Sequence, residues 1–554
     1  MNFRYIAKLF LLAFIVSRCS LSMAADPPRI ERLSPPGGQL GSVVECKLVG
    51  KPGDTPLKIV NSDAGLEFSV SEKQDAVTVN ITSEAVAGLH WCRFYNENGA
   101  TSLLPFVVGP FSEVSETEPN NQPSVANRVS LPTTVNGVLE KSGDVDTFSA
   151  TLNAGQTLTA AVLAQRDLGS PMDAVLQVVD NLGTTVAHND DDHDVDPRIT
   201  FVAPIDGTYT VRIFAFPSAP NSTIALAGGA NFIYRLTLTT GPAADYAMPY
   251  AVDAKLPSEI RLFGPNLPTA GAPTSIPEFQ TSDYAVPAGT DLPLRIAKVD
   301  HTSVTEDDIV DGVLTLPISV TGLIDADQQH DTYVIEGTKG QKIDVSVESR
   351  SLYSLLDPVA TVTDEAGKVI KDADDRSKTD LDTELQLTLP ADGRYKIEIS
   401  DRYEHGGDRF FYVLTCTETH PSLSAKLSSD AVVVTPETTA EISVDVIRTN
   451  GFSEPVLFQI EGLPDGFVCD AVTSEKDGDS AKKIVLKLAQ PQDAVAFSGP
   501  VRITGTPATS KMPVIAQYTV NNSTVIASDI WLTVIVPAAS TVADDTSDSG
   551  KKNE

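Results

Sequence analysis

At 554 residues the chain is too long for one core and points to roughly three to five domains. Aromatic residues are only 6% and charged residues 21%, while Val, Thr, Gly and Pro are plentiful, which suits short strands and turns better than helices. The net charge of −33 excludes a nucleic-acid partner and disfavours anionic lipid, because no basic patch could neutralise phosphates.

Residues 1–24 read as a secretory signal. Arg4 and Lys8 precede the apolar run Leu9 to Val16, and Ser22-Met23-Ala24 forms a small-x-small cleavage site. The apolar run is too short to span a bilayer. Loss of Arg4, Lys8 and Arg18 with this segment takes the charge from −33 to −36. No second span follows, so the expected location is secreted, periplasmic or at the cell envelope. Cys19 leaves with the signal, and an even four remain. In an oxidising compartment these predict two disulfides, Cys46–Cys92 within one sandwich and Cys416–Cys469 between neighbouring domains. Buried free thiols are the alternative, and no spacing suits zinc.

Residues 25–110 alternate in Val43 to Val49 and Val77 to Ile81, giving strands by period two. Their opening, Ile30-Glu31-Arg32-Leu33-Ser34-Pro35-Pro36-Gly37-Gly38, resembles the start of immunoglobulin-like IPT/TIG domains over its first strand and turn. Residues 111–241 and 313–420 say one thing twice. Gly137, Phe148, Gly155 and Gln156 return 185 residues later as Gly322, Tyr333, Gly340 and Gln341. Asp173, Gly183, Asp190 and Asp191 return at 184, and Asp206, Gly207 and Tyr209 at 186. Such small drift marks a duplicated domain with short loop indels. The Pro-rich stretch 242–312 between them is either a reduced β domain or a stiff spacer. Residues 421–537 alternate again and read as an immunoglobulin-like sandwich. The polar tail 538–554 is expected to be disordered. No stretch carries a helical apolar period, so the expected fold is all-β, a tandem of jelly-roll and immunoglobulin-like β-sandwich domains.

The sharpest chemical signal is Glu116-Thr117-Glu118-Pro119-Asn120-Asn121, followed by Asp144-Val145-Asp146. Calcium takes six to eight oxygen ligands, and Glu116, Glu118, Asn120, Asn121, Asp144 and Asp146 supply carboxylate and amide oxygens in a short span. Pro119 would stiffen the segment in an extended form, with alternate side chains on one side. A solvated acidic linker is the bland alternative. Together with Met172-Asp173-Ala174, Asn189-Asp190-Asp191 and Asp206-Gly207-Thr208-Tyr209, this order resembles the bacterial pre-peptidase C-terminal domain over roughly 116–239. That family is related to the collagen-binding domains of clostridial collagenases. The resemblance implies a non-catalytic β-sandwich on exported proteins, with calcium held near its N-terminal linker. In 313–420, Gln329 stands in the place of Asp144, and Asp331 in that of Asp146, so calcium binding is expected in the first repeat alone. The acidic run His188 to Asp196 reads either as a plain polar turn or as a second metal loop.

No Gly-x-Ser-x-Gly, His-Glu-x-x-His or Cys-x-x-Cys occurs, and the seven histidines are scattered. The sequence therefore reads as no enzyme. It is expected to be an adhesion, binding or spacer protein directed at an extracellular protein or polysaccharide. The accessory region of a secreted peptidase, or a divergent one, is the alternative.

Overall fold

The computed structural model describes residues 26–536 except 54–55, 193–194, 220–224, 254–258, 269–270, 276–283, 286–289, 291, 379, 437 and 521–524. The signal-like segment 1–24 and the tail 538–554 lie outside the described residues. No helix among the described residues is long and apolar enough to cross a membrane.

The chain is built from β-sandwiches. In the first, the sheet Arg29–Ser34, Val43–Lys51, Ala76–Ile81, Leu66–Val70 faces Gly37–Gln39, Leu104–Gly109, Gly88–Asn96, Lys58–Asn61. Alternation explains this packing: Val77, Val79 and Ile81 point inwards to meet Phe94 and Phe106, while Thr78 and Asn80 face water. The last domain repeats the logic, with Phe458, Leu486 and Leu532 at its centre.

Residues from Glu113 to Thr239 form two five-stranded sheets. One runs Glu113–Ser115, Thr133–Val138, Ile233–Thr239, Thr157–Leu163, Arg198–Val202; the other runs Asn127–Arg128, Asp146–Leu152, Gly207–Pro217, Met172–Val179, Thr185–Asn189. Residues Thr302 to Glu418 repeat that strand order in full. In both, the short outer strand lies parallel to its neighbour. The second sandwich therefore begins at Thr302, inside the stretch that the sequence reading assigned to the spacer. Its outer strand Thr302–Thr305 is only four residues long and carries no apolar run of its own. The described part of the rest of that stretch forms small sheets, Tyr246–Met248 with Glu259–Phe263 and Pro273–Ser275, and Ala251–Asp253 with Ala297–Val299, and packs on the second sandwich. Tyr246 and Tyr250 stack on Phe411 at 5.3 and 4.7 Å, and Ile260, Leu294 and Ile296 share one core with Leu352 and Val413.

The cysteines differ from expectation. All four are free thiols. Cys46 and Cys92 lie on facing sheets of the first core, and burial pushes the Cys46 thiol up to about 12. Cys416 is fully buried in the second repeat, whereas Cys469 packs at the margin of the last domain's core. Cys416 and Cys469, the pair expected to be linked, thus belong to separate cores.

Candidate metal centre

The acidic string is brought to the sandwich by the outer strand Glu113–Ser115, after which the chain bends at Glu118 through a cis Glu118–Pro119 peptide. The side chains are thus gathered by a turn, and not by alternation along an extended segment as the sequence suggested. Glu116 Oε1 accepts the Val138 N–H at 2.5 Å, and Glu118 Oε2 accepts the Asn120 N–H at 3.0 Å. Carboxylate oxygens of Glu116, Glu118 and Asp146 lie within 4.8 Å of one another. Asn120 is fully buried, and its Nδ2 donates to Glu116 Oε2 at 3.5 Å. Its backbone carbonyl accepts the Thr147 hydroxyl, which anchors the turn to the strand that carries Asp146.

Tyr234 completes the cluster and was not read from the sequence. It stands opposite Gly137 in the sheet register. A Cβ at Gly137 would sit 2.2 Å from the Tyr234 ring, so only glycine lets the ring cross the neighbouring strand. The phenol then donates to Asp146 Oδ2 at 2.6 Å and Glu116 Oε2 at 3.1 Å. Asp144 and Asn121 stand beside this group. Asn121 Nδ2 donates to Asp144 Oδ1, and the Glu140 N–H donates to Asp144 Oδ2, each at 2.7 Å.

Three buried oxygens have no hydrogen-bond partner: Glu118 Oε1, Asn120 Oδ1 and Asp146 Oδ1. Buried acceptors are rarely left so, and two of these belong to the carboxylates gathered here. Burial, with Glu116 next to it, pushes Asp146 up to about 10. Burial also raises Glu116. Like charges in a dry site cannot all ionise unless a cation joins them. Hard carboxylate and amide oxygens suit a divalent ion such as calcium, and the donor set fits one.

The acidic run 188–196 is largely structural where it is described; His193 and Asp194 fall outside. Asp196 accepts the N–H groups of Ala164 and Gln165 at 2.9 Å each, and burial pushes it up to about 7. Asp192 accepts from Arg409 of the second sandwich at 2.5 Å. In that second sandwich Glu306 holds the place of Glu116, a match missed in the sequence, while Asp308 turns back to cap Thr305. Burial and Asp331 push Glu306 up to about 8.

Comparison with known proteins agrees in part. A family described as bacterial pre-peptidase C-terminal domain matches residues 144–215, inside the first repeat. A probable subtilase-type serine protease of Deinococcus radiodurans is 31% identical over 167 residues, 29% of this chain and 22% of that protein. The chain thus spans about a fifth of that relative's length. Among solved structures, the pre-peptidase C-terminal domain of Bacillus anthracis collagenase is 17% identical, covering 22% of this chain and all of that one (TM-score 0.17). Fibronectin(III)-like modules of Clostridium thermocellum CbhA are 13% identical, covering 37% of this chain and 94% of theirs (TM-score 0.12). The match to the pre-peptidase C-terminal domain lies within the first repeat.

Proposed function

We propose that the protein is an exported, non-catalytic assembly of β-sandwiches whose first repeat binds calcium. Glu116, Glu118, Asn120 and Asp146 are the ligands, Asp144 and Asn121 flank them, and water completes the shell. The assembly binds or positions itself against an extracellular protein or polysaccharide. One observation carries the calcium reading: carboxylate oxygens of Glu116, Glu118 and Asp146 lie within 4.8 Å of one another, and Glu118 Oε1, Asp146 Oδ1 and the neighbouring Asn120 Oδ1 have no hydrogen-bond partner. Isothermal titration of the chelated full chain with calcium is the test, and one ion per chain is the expected result. No uptake would return the cluster to a solvated acidic turn. A glycan and matrix-protein array run with and without calcium would then identify the partner class.

A second reading, the accessory part of a secreted peptidase, draws support from the relative described as a protease. Turnover of a peptide panel by the pure chain, abolished by one point substitution, would favour it over the first.

A further inference from the structure

The second sandwich keeps a Glu306–Asp331 pair where the first has Glu116 and Asp146, and it keeps the tyrosine as well. Tyr412 lies opposite Gly322, and its hydroxyl donates to Asp331 Oδ2 at 2.7 Å, as Tyr234 donates to Asp146. The Leu323 N–H bonds Glu306 as the Val138 N–H bonds Glu116. Besides the turn, where Asp308 caps Thr305 in the place of Glu118, the two sites part at one side chain. In the first, Asp144 accepts the Glu140 N–H. In the second, Gln329 Oε1 accepts the counterpart N–H of Asp325 at 3.1 Å and that of Ala326 at 3.2 Å. Its Nε2 is then free to turn inwards, where it donates to Asp331 Oδ1 at 3.0 Å and the Leu323 carbonyl at 3.3 Å. Asp331 Oδ1 is the atom whose equivalent, Asp146 Oδ1, has no partner in the first site.

We infer that the Gln329 amide is a built-in substitute for the cation: it fills from within the chain the position that an ion takes in the first sandwich. The inference rests on the calcium reading of the first site for its comparison, but it makes its own claim about residues 306–331. The amide group supplies two N–H donors of partial positive charge, which satisfy the oxygens that a divalent ion would otherwise join. It brings no net charge and its donors occupy the cation's place, so the site needs no metal to fold. A carboxylate at 329 would reverse this, restoring the acidic set and vacating the donor's place.

Two variants of the full chain test it. Gln329→Glu is nearly isosteric but loses both N–H donors and sets a carboxylate against Asp331. In chelator it is expected to lower the melting of the second sandwich by roughly 5 °C, with faster hydrogen exchange at Asp325 and Ala326. Gln329→Asp, placed in an Asp146→Asn chain so that the first site is silent, is expected to take up one calcium per chain, where Asp146→Asn alone takes up none. A Gln329→Glu chain as stable as wild type in chelator would overturn the inference. So would a Gln329→Asp chain that is destabilised and not recovered by calcium. If the wild-type chain binds no calcium while the Gln329→Asp chain does, the first-site reading fails and this one stands.

Discussion

The two oxygens of Asp146 have different surroundings: Oδ2 accepts from Tyr234, whereas Oδ1 is buried without a donor. Burial, with Glu116 alongside, sets a pH dependence that the Tyr234 bond only moderates. The folded, metal-free value near 10 lies above the ordinary carboxylate value of about 4, so between the two the native state holds more protons than the unfolded one. Stability of the metal-free first sandwich is therefore greatest at the acid end of that window and falls as pH rises through it. This slope is opposite to that of a salt-bridged aspartate. Calcium must displace the proton, so binding is expected to tighten from pH 5 to pH 8 with release of protons. Titration in buffers of different ionisation enthalpy reads that release, and a heat independent of buffer would refute it. Asp146→Asn separates charge from shape. It should leave the chelated protein at least as stable as wild type at neutral pH, because a neutral amide need not take up a proton on folding. It should also abolish the calcium-dependent gain, about 2.7 kcal/mol at a hundredfold excess over Kd, which thermal unfolding in calcium and in chelator would measure.

Glycines set into a strand decide whether each site exists at all. Gly137 and Gly322 face Tyr234 and Tyr412 across the same strand pair, and a Cβ at Gly322 would sit 2.4 Å from the ring. Ala at either position must displace the tyrosine, an overpacking cost of about 1–3 kcal/mol. Gly137→Ala is expected to lose calcium affinity along with stability, because the phenol no longer orders Asp146 and Glu116. Gly322→Ala should lose stability alone; equal calcium affinity in wild type and Gly137→Ala would sink the argument. Why the glycines were legible in the sequence while the tyrosines were not is a matter of range. The repeated residues mostly serve their own turns. Tyr209 and Tyr395 each donate to the carbonyl four residues back, and Asp206 and Asp392 each accept one hairpin N–H. Tyr209 and Tyr395 act within their own turns, and Asp206 and Asp392 bond across a strand pair of nearly constant length, so the duplication shows as nearly fixed offsets. Tyr234 and Tyr412 are 178 apart and Glu116 and Glu306 are 190 apart, because the loops before them differ in length. Their duties cross the sandwich, and no spacing in the chain reports them. The strand pattern and the acidic string were plain, but the partners that dry and orient the string were not.

Contacts between the domains bear on the spacer reading. Arg235 pairs with Glu113 at 2.5 Å and abuts Gly37 of the first domain. Arg166 lies over the ring of Tyr353 at 4.3 Å, and Asp192 holds Arg409, joining the two repeats. The first and last domains also meet. Arg93 is 2% exposed, donates to the Asp430 carbonyl and carboxylate and to the Tyr518 hydroxyl, and lies 5.8 Å from the Trp531 ring centre. Tyr95 packs on that same ring at 4.6 Å. A spacer gains reach by keeping its ends apart, whereas this chain folds its first domain back against its last. The buried arginine and tryptophan have the character of interface anchors, whose truncation costs about 2 kcal/mol or more. Docking within one chain is also favoured by a high effective concentration, so opening it requires loss of an anchor and not mere dilution. Arg93→Ala and Trp531→Ala are each expected to open the ring, seen as a larger radius of gyration in small-angle scattering with the sandwich cores still folded. The two substitutions sit on opposite sides of the contact, so a change in Trp531→Ala alone would report damage to its own strand, Asp529–Val534. Unchanged scattering in both would mean that the neighbouring junctions alone hold the ends together, and the contact between first and last domains would then be a consequence of the assembly's shape with no part in maintaining it.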